Sequence, residues 1–164
     1  MKSKRKDRVL YYVEETGTGN DITQEFEPIG KDNEELNTEL NNDVSSEENV
    51  LGETNVDITK RPRVTTVDPC YYRTDGKLCK KLKAIEWEDK DGDDLVEKFM
   101  SVDKTETVSE NEYKAYQMQA AINLKSFGGN TKGINYPHEL HWKGTKTYGT
   151  FNPTTNIFTP STSR

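Results

Sequence analysis

The sequence predicts a mainly β, single-domain protein with one helix, and three observations carry that prediction. The chain has 164 residues, the size of one domain. Several short runs alternate apolar and polar side chains, the period of a strand with one face buried and one wet. Only one stretch, about 75–88, repeats its apolar residues at helical spacing. Core material is thin for this length, with 30% hydrophobic against 32% charged residues. Such a composition fits a subunit whose loops and arms order between neighbours, and equally a monomer with long disordered segments.

Taken in order, Val9 to Val13 is an apolar and aromatic strand that ends at the turn-forming cluster Thr16-Gly17-Thr18-Gly19-Asn20. Leu36, Thr38 and Leu40 alternate with Asn37, Glu39 and Asn41, and Val56 and Ile58 repeat the pattern. Pro62 and Pro69 bracket the β-branched run Val64 to Val67, which suits an edge or loop-flanking strand. In the helix, Leu78, Leu82 and Ile85 share a face and Asp75 is the expected cap. Asp89 to Asp94 reads as a polar loop and Leu95 to Val102 as a strand. From Ser109 onward a capping-box spacing to Glu112 competes with a period-two face of Tyr116, Met118, Ala120, Ile122 and Leu124; the longer pattern favours strand. The last third reads as a meander of Tyr136 to Trp142, Thr145 to Phe151 and Ile157-Phe158, separated at Lys143-Gly144 and at Asn152 to Asn156.

Charge is distributed unevenly around the net of −6. Lys2, Lys4, Arg5, Lys6 and Arg8 face one acid, Asp7, in the first eight residues, whereas Val9 to Ile58 hold fourteen acids and the single base Lys31. We read residues 1–8 as a basic arm, 9–160 as the domain and 161–164 as a short tail. An acidic body argues against coating nucleic acid, because phosphate binding needs Lys and Arg in number. No apolar run reaches the roughly 18 residues of a membrane span, and the N-terminus lacks a signal peptide's apolar stretch, so a soluble protein made in a cytoplasm is expected.

The local patterns that could carry chemistry are weak. Asp89, Asp91 and Asp93 take the first, third and fifth places of a calcium loop, but Asp94 stands where Gly is needed and Met100 where Glu is needed. Gly128 to Gly133 lacks the Gly-Lys-Ser/Thr ending of a phosphate loop and reads as a plain loop. His138 and His141, three apart on a strand, point to opposite faces, and Cys70 and Cys79 have neither redox nor zinc spacing. Of Tyr11-Tyr12 and of Tyr71-Tyr72, one each is expected in the core. No nucleophile or acid–base pair stands out, so no catalytic, cofactor or metal residue is assigned and an enzyme is not expected.

A resemblance goes further than these patterns. Tyr12-Val13-Glu14-Glu15-Thr16-Gly17-Thr18-Gly19-Asn20, Pro28-Ile29-Gly30-Lys31, Glu34-Glu35-Leu36-Asn37 and Leu51-Gly52-Glu53-Thr54 resemble the N-terminal half of the tail tube proteins of phages infecting Gram-positive bacteria. Val67-Asp68-Pro69 with Tyr71-Tyr72, Ser126-Phe127-Gly128-Gly129 and Gly149-Thr150-Phe151-Asn152-Pro153-Thr154-Thr155 continue the series in the second half. The resemblance implies an antiparallel β-sandwich or barrel-like fold with its helix outside. It implies a homo-oligomer, with hexameric rings stacked into a hollow tube through which DNA passes transiently and without sequence preference, and a place in the virion tail after synthesis in the host cytoplasm. The other tail proteins, namely tape measure, tail terminator and distal tail proteins, are the implied partners, with no cofactor and no membrane. On that reading Lys4, Arg5, Lys6, Arg8, Asp43, Glu47, Glu48, Val50 and Leu51 are candidate inter-subunit contacts, and Glu34, Glu35 and Glu39 are candidate lumen-facing acids. The very basic start departs from the family. The alternatives are a connector or terminator-like virion protein that forms one ring, and a monomeric binding module for carbohydrate or single-stranded nucleic acid.

Overall fold

Strand β1, Arg8–Thr16, forms where β-branched and aromatic residues cluster, and both of its faces are buried. It seeds a sheet ordered β2-β1-β7-β8-β11-β6-β3, with β12 added to the far end of β11. The strands are β2 (Thr23–Pro28), β3 (Asn37–Glu39), β6 (Val64–Val67), β7 (Val96–Ser109), β8 (Glu112–Leu124), β11 (His138–Asn152) and β12 (Ile157–Pro160), all antiparallel to their neighbours. Two small hairpins stand apart, β4–β5 (Asp43–Glu48, Thr54–Thr59) and β9–β10 (Gly128–Asn130, Gly133–Asn135). Among the described residues the one α-helix, α1, spans Lys77–Trp87. This is a computed structural model, and it describes residues 1–31, 33 and 36–161.

The two sides of the sheet carry two cores. Leu10, Tyr12, Phe99, Ala120, Ile122 and Leu140 share one side, where Leu78 and Leu82 of α1 cover them. Tyr11, Val13, Met100, Val102, Ala115 and Phe151 occupy the other. Tyr11 and Tyr12 are therefore both core, one on each side, rather than one buried and one spare.

Curvature closes the second core. Phe26 on β2 and Phe151 on β11 are separated by β1, β7 and β8, about 19 Å on a flat sheet, yet their ring centroids lie 5.0 Å apart. Gln24 and Gln117 likewise exchange side-chain hydrogen bonds of 3.1 and 3.0 Å across the same interior. The sheet thus curls over itself. It does not close into a barrel, because β2 and β3 remain its ends.

Several expectations need correction. Thr145 to Phe151 is no separate strand: β11 is continuous from His138 to Asn152, and Gly144, at φ 77°, lies in an irregularity between Lys143 and Thr147. Val64 to Val67 is not an edge, since β11 and β3 flank it. The 128–133 segment is a hairpin, not a loop. Leu40 lies just past β3 and is 48% exposed, so the alternation there buries little. Asp75 does not cap α1. It pairs with Arg73, while the Glu27 carboxylate, reaching from β2, accepts the Lys77 and Leu78 N–H groups at 2.6 and 3.3 Å.

The strand reading of 112–124 and the β12 return hold. Ser109 and Glu112 do bond to each other, at 2.8 Å, but across the β7–β8 turn, where Asn111 takes φ 60°.

Candidate assembly surfaces

The segment from Asp43 to Leu51 is a hairpin arm rather than a loop. Asp43 pairs with Thr59, Val44 with Ile58, Ser45 with Asp57, Ser46 with Val56, Glu47 with Asn55 and Glu48 with Thr54. Because side chains alternate across a strand, Val44, Val56 and Ile58 fall on one face and Asp43, Glu47 and Asp57 on the other. Every residue of both strands is exposed. Val44, Val56 and Ile58 keep 66%, 58% and 63% of their surface in water, so an apolar stripe lies uncovered.

The tip is well defined by its own chemistry. Asn49 Oδ1 accepts the Leu51 and Glu53 N–H groups at 3.0 Å each, and Gly52 supplies a left-handed turn position at φ 78°. Val50 and Leu51 are thereby held outward in solvent. At the base, Arg61 forms an ion pair with Asp43. From Asp43 to Thr59 the arm carries five acids, Asp43, Glu47, Glu48, Glu53 and Asp57, and no base.

The N-terminal residues are not a detached arm. A single 3₁₀ turn, Arg5–Asp7, leads directly into β1, which already includes Arg8. The Lys4 N–H donates to Asp7 at 2.8 Å. Arg5 donates to the Leu36 carbonyl at 3.0 Å, and Arg8 bonds Ser101 at 2.9 Å and pairs with Asp103 at 3.6 Å. Lys4 and Lys6 are exposed.

Beside this turn lies a groove of about 260 Å³ on the helix side of the sheet, where α1 does not reach. Its floor is Leu10, Leu36 and Met118, its aromatic wall is Tyr116 and Trp142, and its rim carries Arg5, Arg8 and Arg63. The wall is anchored from behind: the Trp142 indole N–H donates to the buried Thr65 hydroxyl at 2.8 Å, and its ring meets Phe99 edge-on at 5.7 Å. Arg8 and Lys146 both lie over the Tyr116 ring, at 5.9 and 4.4 Å. A second depression continues from it and adds Lys6 and Lys31. Among the described lining residues of both there is no carboxylate. Sequence reasoning missed the groove because its residues are scattered over β1, β3, β7, β8 and β11 and over Arg5, Leu36, Leu40 and Arg63 outside them.

Of the proposed lumen acids, Glu39 sits exposed on β3 at the end of the sheet. Glu34 and Glu35 lie outside the described residues. His138 and His141 do point to opposite sides: His138 is buried, whereas His141 is half exposed near Glu139. Among the described residues no three His, Cys, Asp or Glu side chains converge as a metal site, and the Asp89–Asp94 stretch runs into a 3₁₀ turn, Gly92–Leu95. No described helix is long and apolar enough to cross a membrane. Compared with known proteins, the chain matches no family model and no curated protein.

Proposed function

We propose that this chain is a structural subunit that assembles with copies of itself, as the major tail tube protein of a tailed phage. The observation that carries the reading is the β4–β5 arm. A lone two-stranded hairpin is marginal in water, and this one leaves Val44, Val56 and Ile58 uncovered beside an acidic face. Covering those three side chains in a neighbour contributes about 1–2 kcal/mol each.

The sheet ends at β2 and β3 favour the same reading. Open edges invite pairing with another chain, and a head-to-tail contact that repeats with rotation closes into a ring. Stacked rings then make a tube. A lumen bearing carboxylates such as Glu39 repels phosphate and lets DNA slide, which is a function of weak binding. Sedimentation velocity over a concentration series tests the assembly: the subunit is expected to give way to ring-sized and larger particles as concentration rises. A single monomer boundary throughout would remove the proposal and favour a monomeric binding module.

A further inference from the structure

The arm and the groove carry complementary surfaces on one chain. The arm offers an aliphatic stripe, Val44, Val56 and Ile58, with Glu48 on the same face and Glu47 and Asp57 on the opposite one. The groove offers a floor of Leu10, Leu36 and Met118 under a rim of Arg5, Arg8 and Arg63. We infer that the groove is the receptor for the β4–β5 arm of a second copy of this chain, with apolar stripe on apolar floor, Glu48 of the same face against the rim guanidiniums, and the remaining arm acids adding to the attraction through their field. The inference rests on the self-assembly reading and names the two surfaces that meet.

Charge selects this occupant. The molecule as a whole is acidic, at −6, yet the groove and its continuation bring together Arg5, Lys6, Arg8, Lys31 and Arg63. The arm is the opposite extreme, with five acids and no base between Asp43 and Thr59. Guanidiniums bind carboxylates through two parallel N–H···O bonds, which fixes orientation as well as attraction. A nucleic acid would use the same rim but would leave the aliphatic floor without a partner, whereas the arm brings the stripe to the floor and Glu48, on the same face, to the rim.

The geometry also fits a repeating contact. Leu40 and Arg63 lie at the foot of the arm's own two strands and line the groove, so each copy presents its receptor where its arm begins. An arm reaching from one copy to the foot of the next leaves that next arm free to do the same. Such a contact is heterologous and propagates until rotation closes it.

Charge exchange tests the inference in the full-length chain. Arg5→Glu with Arg63→Glu reverses the rim, and Glu47→Lys, Glu48→Lys and Asp57→Lys reverse the arm; circular dichroism checks that each monomer keeps its strands. Each set alone should reduce pelletable polymer at least tenfold, and both sets in one chain should restore it. If the wild type assembles and the rim reversal assembles equally well, the arm docks elsewhere and the inference fails while the assembly reading stands. If the wild type never assembles, both fail. A labelled oligothymidine that binds the wild type and is released by the rim reversal, with assembly unchanged, would assign the groove to nucleic acid instead.

Discussion

Three positions show how single residues set the stability of this fold. His138 is fully buried on β11; its Nδ1–H donates to the Tyr136 carbonyl at 3.0 Å, which leaves Nε2 as an acceptor without a partner. Burial disfavours the charged ring and holds its pKa below the usual histidine value. The unfolded chain therefore binds a proton that the folded chain resists. The stability conferred by the neutral ring is complete above about pH 6.5 and is lost as pH falls below it toward the folded pKa, at about 1.4 kcal/mol for each pK unit of depression. Urea unfolding at pH 7.5 and pH 5.0 should show a loss for the wild type that is smaller in His138→Leu, and equal losses would contradict this account. Glu27→Ala removes the cap of α1, for an expected cost of about 1–2 kcal/mol in the same assay. Gly149→Ala would drive a methyl group into the Thr159 carbonyl and the Phe158 ring, and overpacking of this kind costs about 1–3 kcal/mol.

At the level of elements, legibility followed how local each signal is. The β1 run, the helix stripe of Leu78, Leu82 and Ile85, and the alternating face of β8 could be read because their burial pattern repeats within one segment. Strand β2 could not, because Phe26 is its single large apolar residue and its place depends on pairing with β1. Gly144 reads as a turn in sequence and acts as an irregularity within one long strand, since only the β8 partner continues the ladder past it. The helix cap was invisible because Glu27 lies 50 residues from the N–H it accepts. The β4–β5 arm was half visible: Val56 and Ile58 alternate, but Ser45, Ser46, Glu47 and Glu48 give no apolar signal. Replacing Val44, Val56 and Ile58 by Thr keeps β propensity while removing the stripe. The monomer's unfolding midpoint should move little, because these side chains are already in water, while assembly should fall sharply at a fixed concentration.

For the whole molecule, the curl of the sheet was the least legible feature. Tyr11, Phe26, Phe151 and Phe158 meet only when the six strands β2, β1, β7, β8, β11 and β12 bend around one interior, and no window of sequence contains that contact. The same holds for the groove, whose residues come from five strands and the turn before β1. What the sequence did show at this scale was imbalance: a thin core, an acidic stretch and a basic start. The fold explains each in part, by placing five acids on an exposed arm and by fixing Arg5 and Arg8 on the sheet as a basic rim. Electrostatic contact between such surfaces is screened by salt, so raising ionic strength from low to about 1 M, where the Debye length falls to about 3 Å, should shift the association of subunits toward higher concentration. The most direct test of self-assembly is negative-stain electron microscopy of the purified full-length protein at rising concentration. Rings that stack into hollow tubes are the predicted result; a field of separate small particles at every concentration would contradict it.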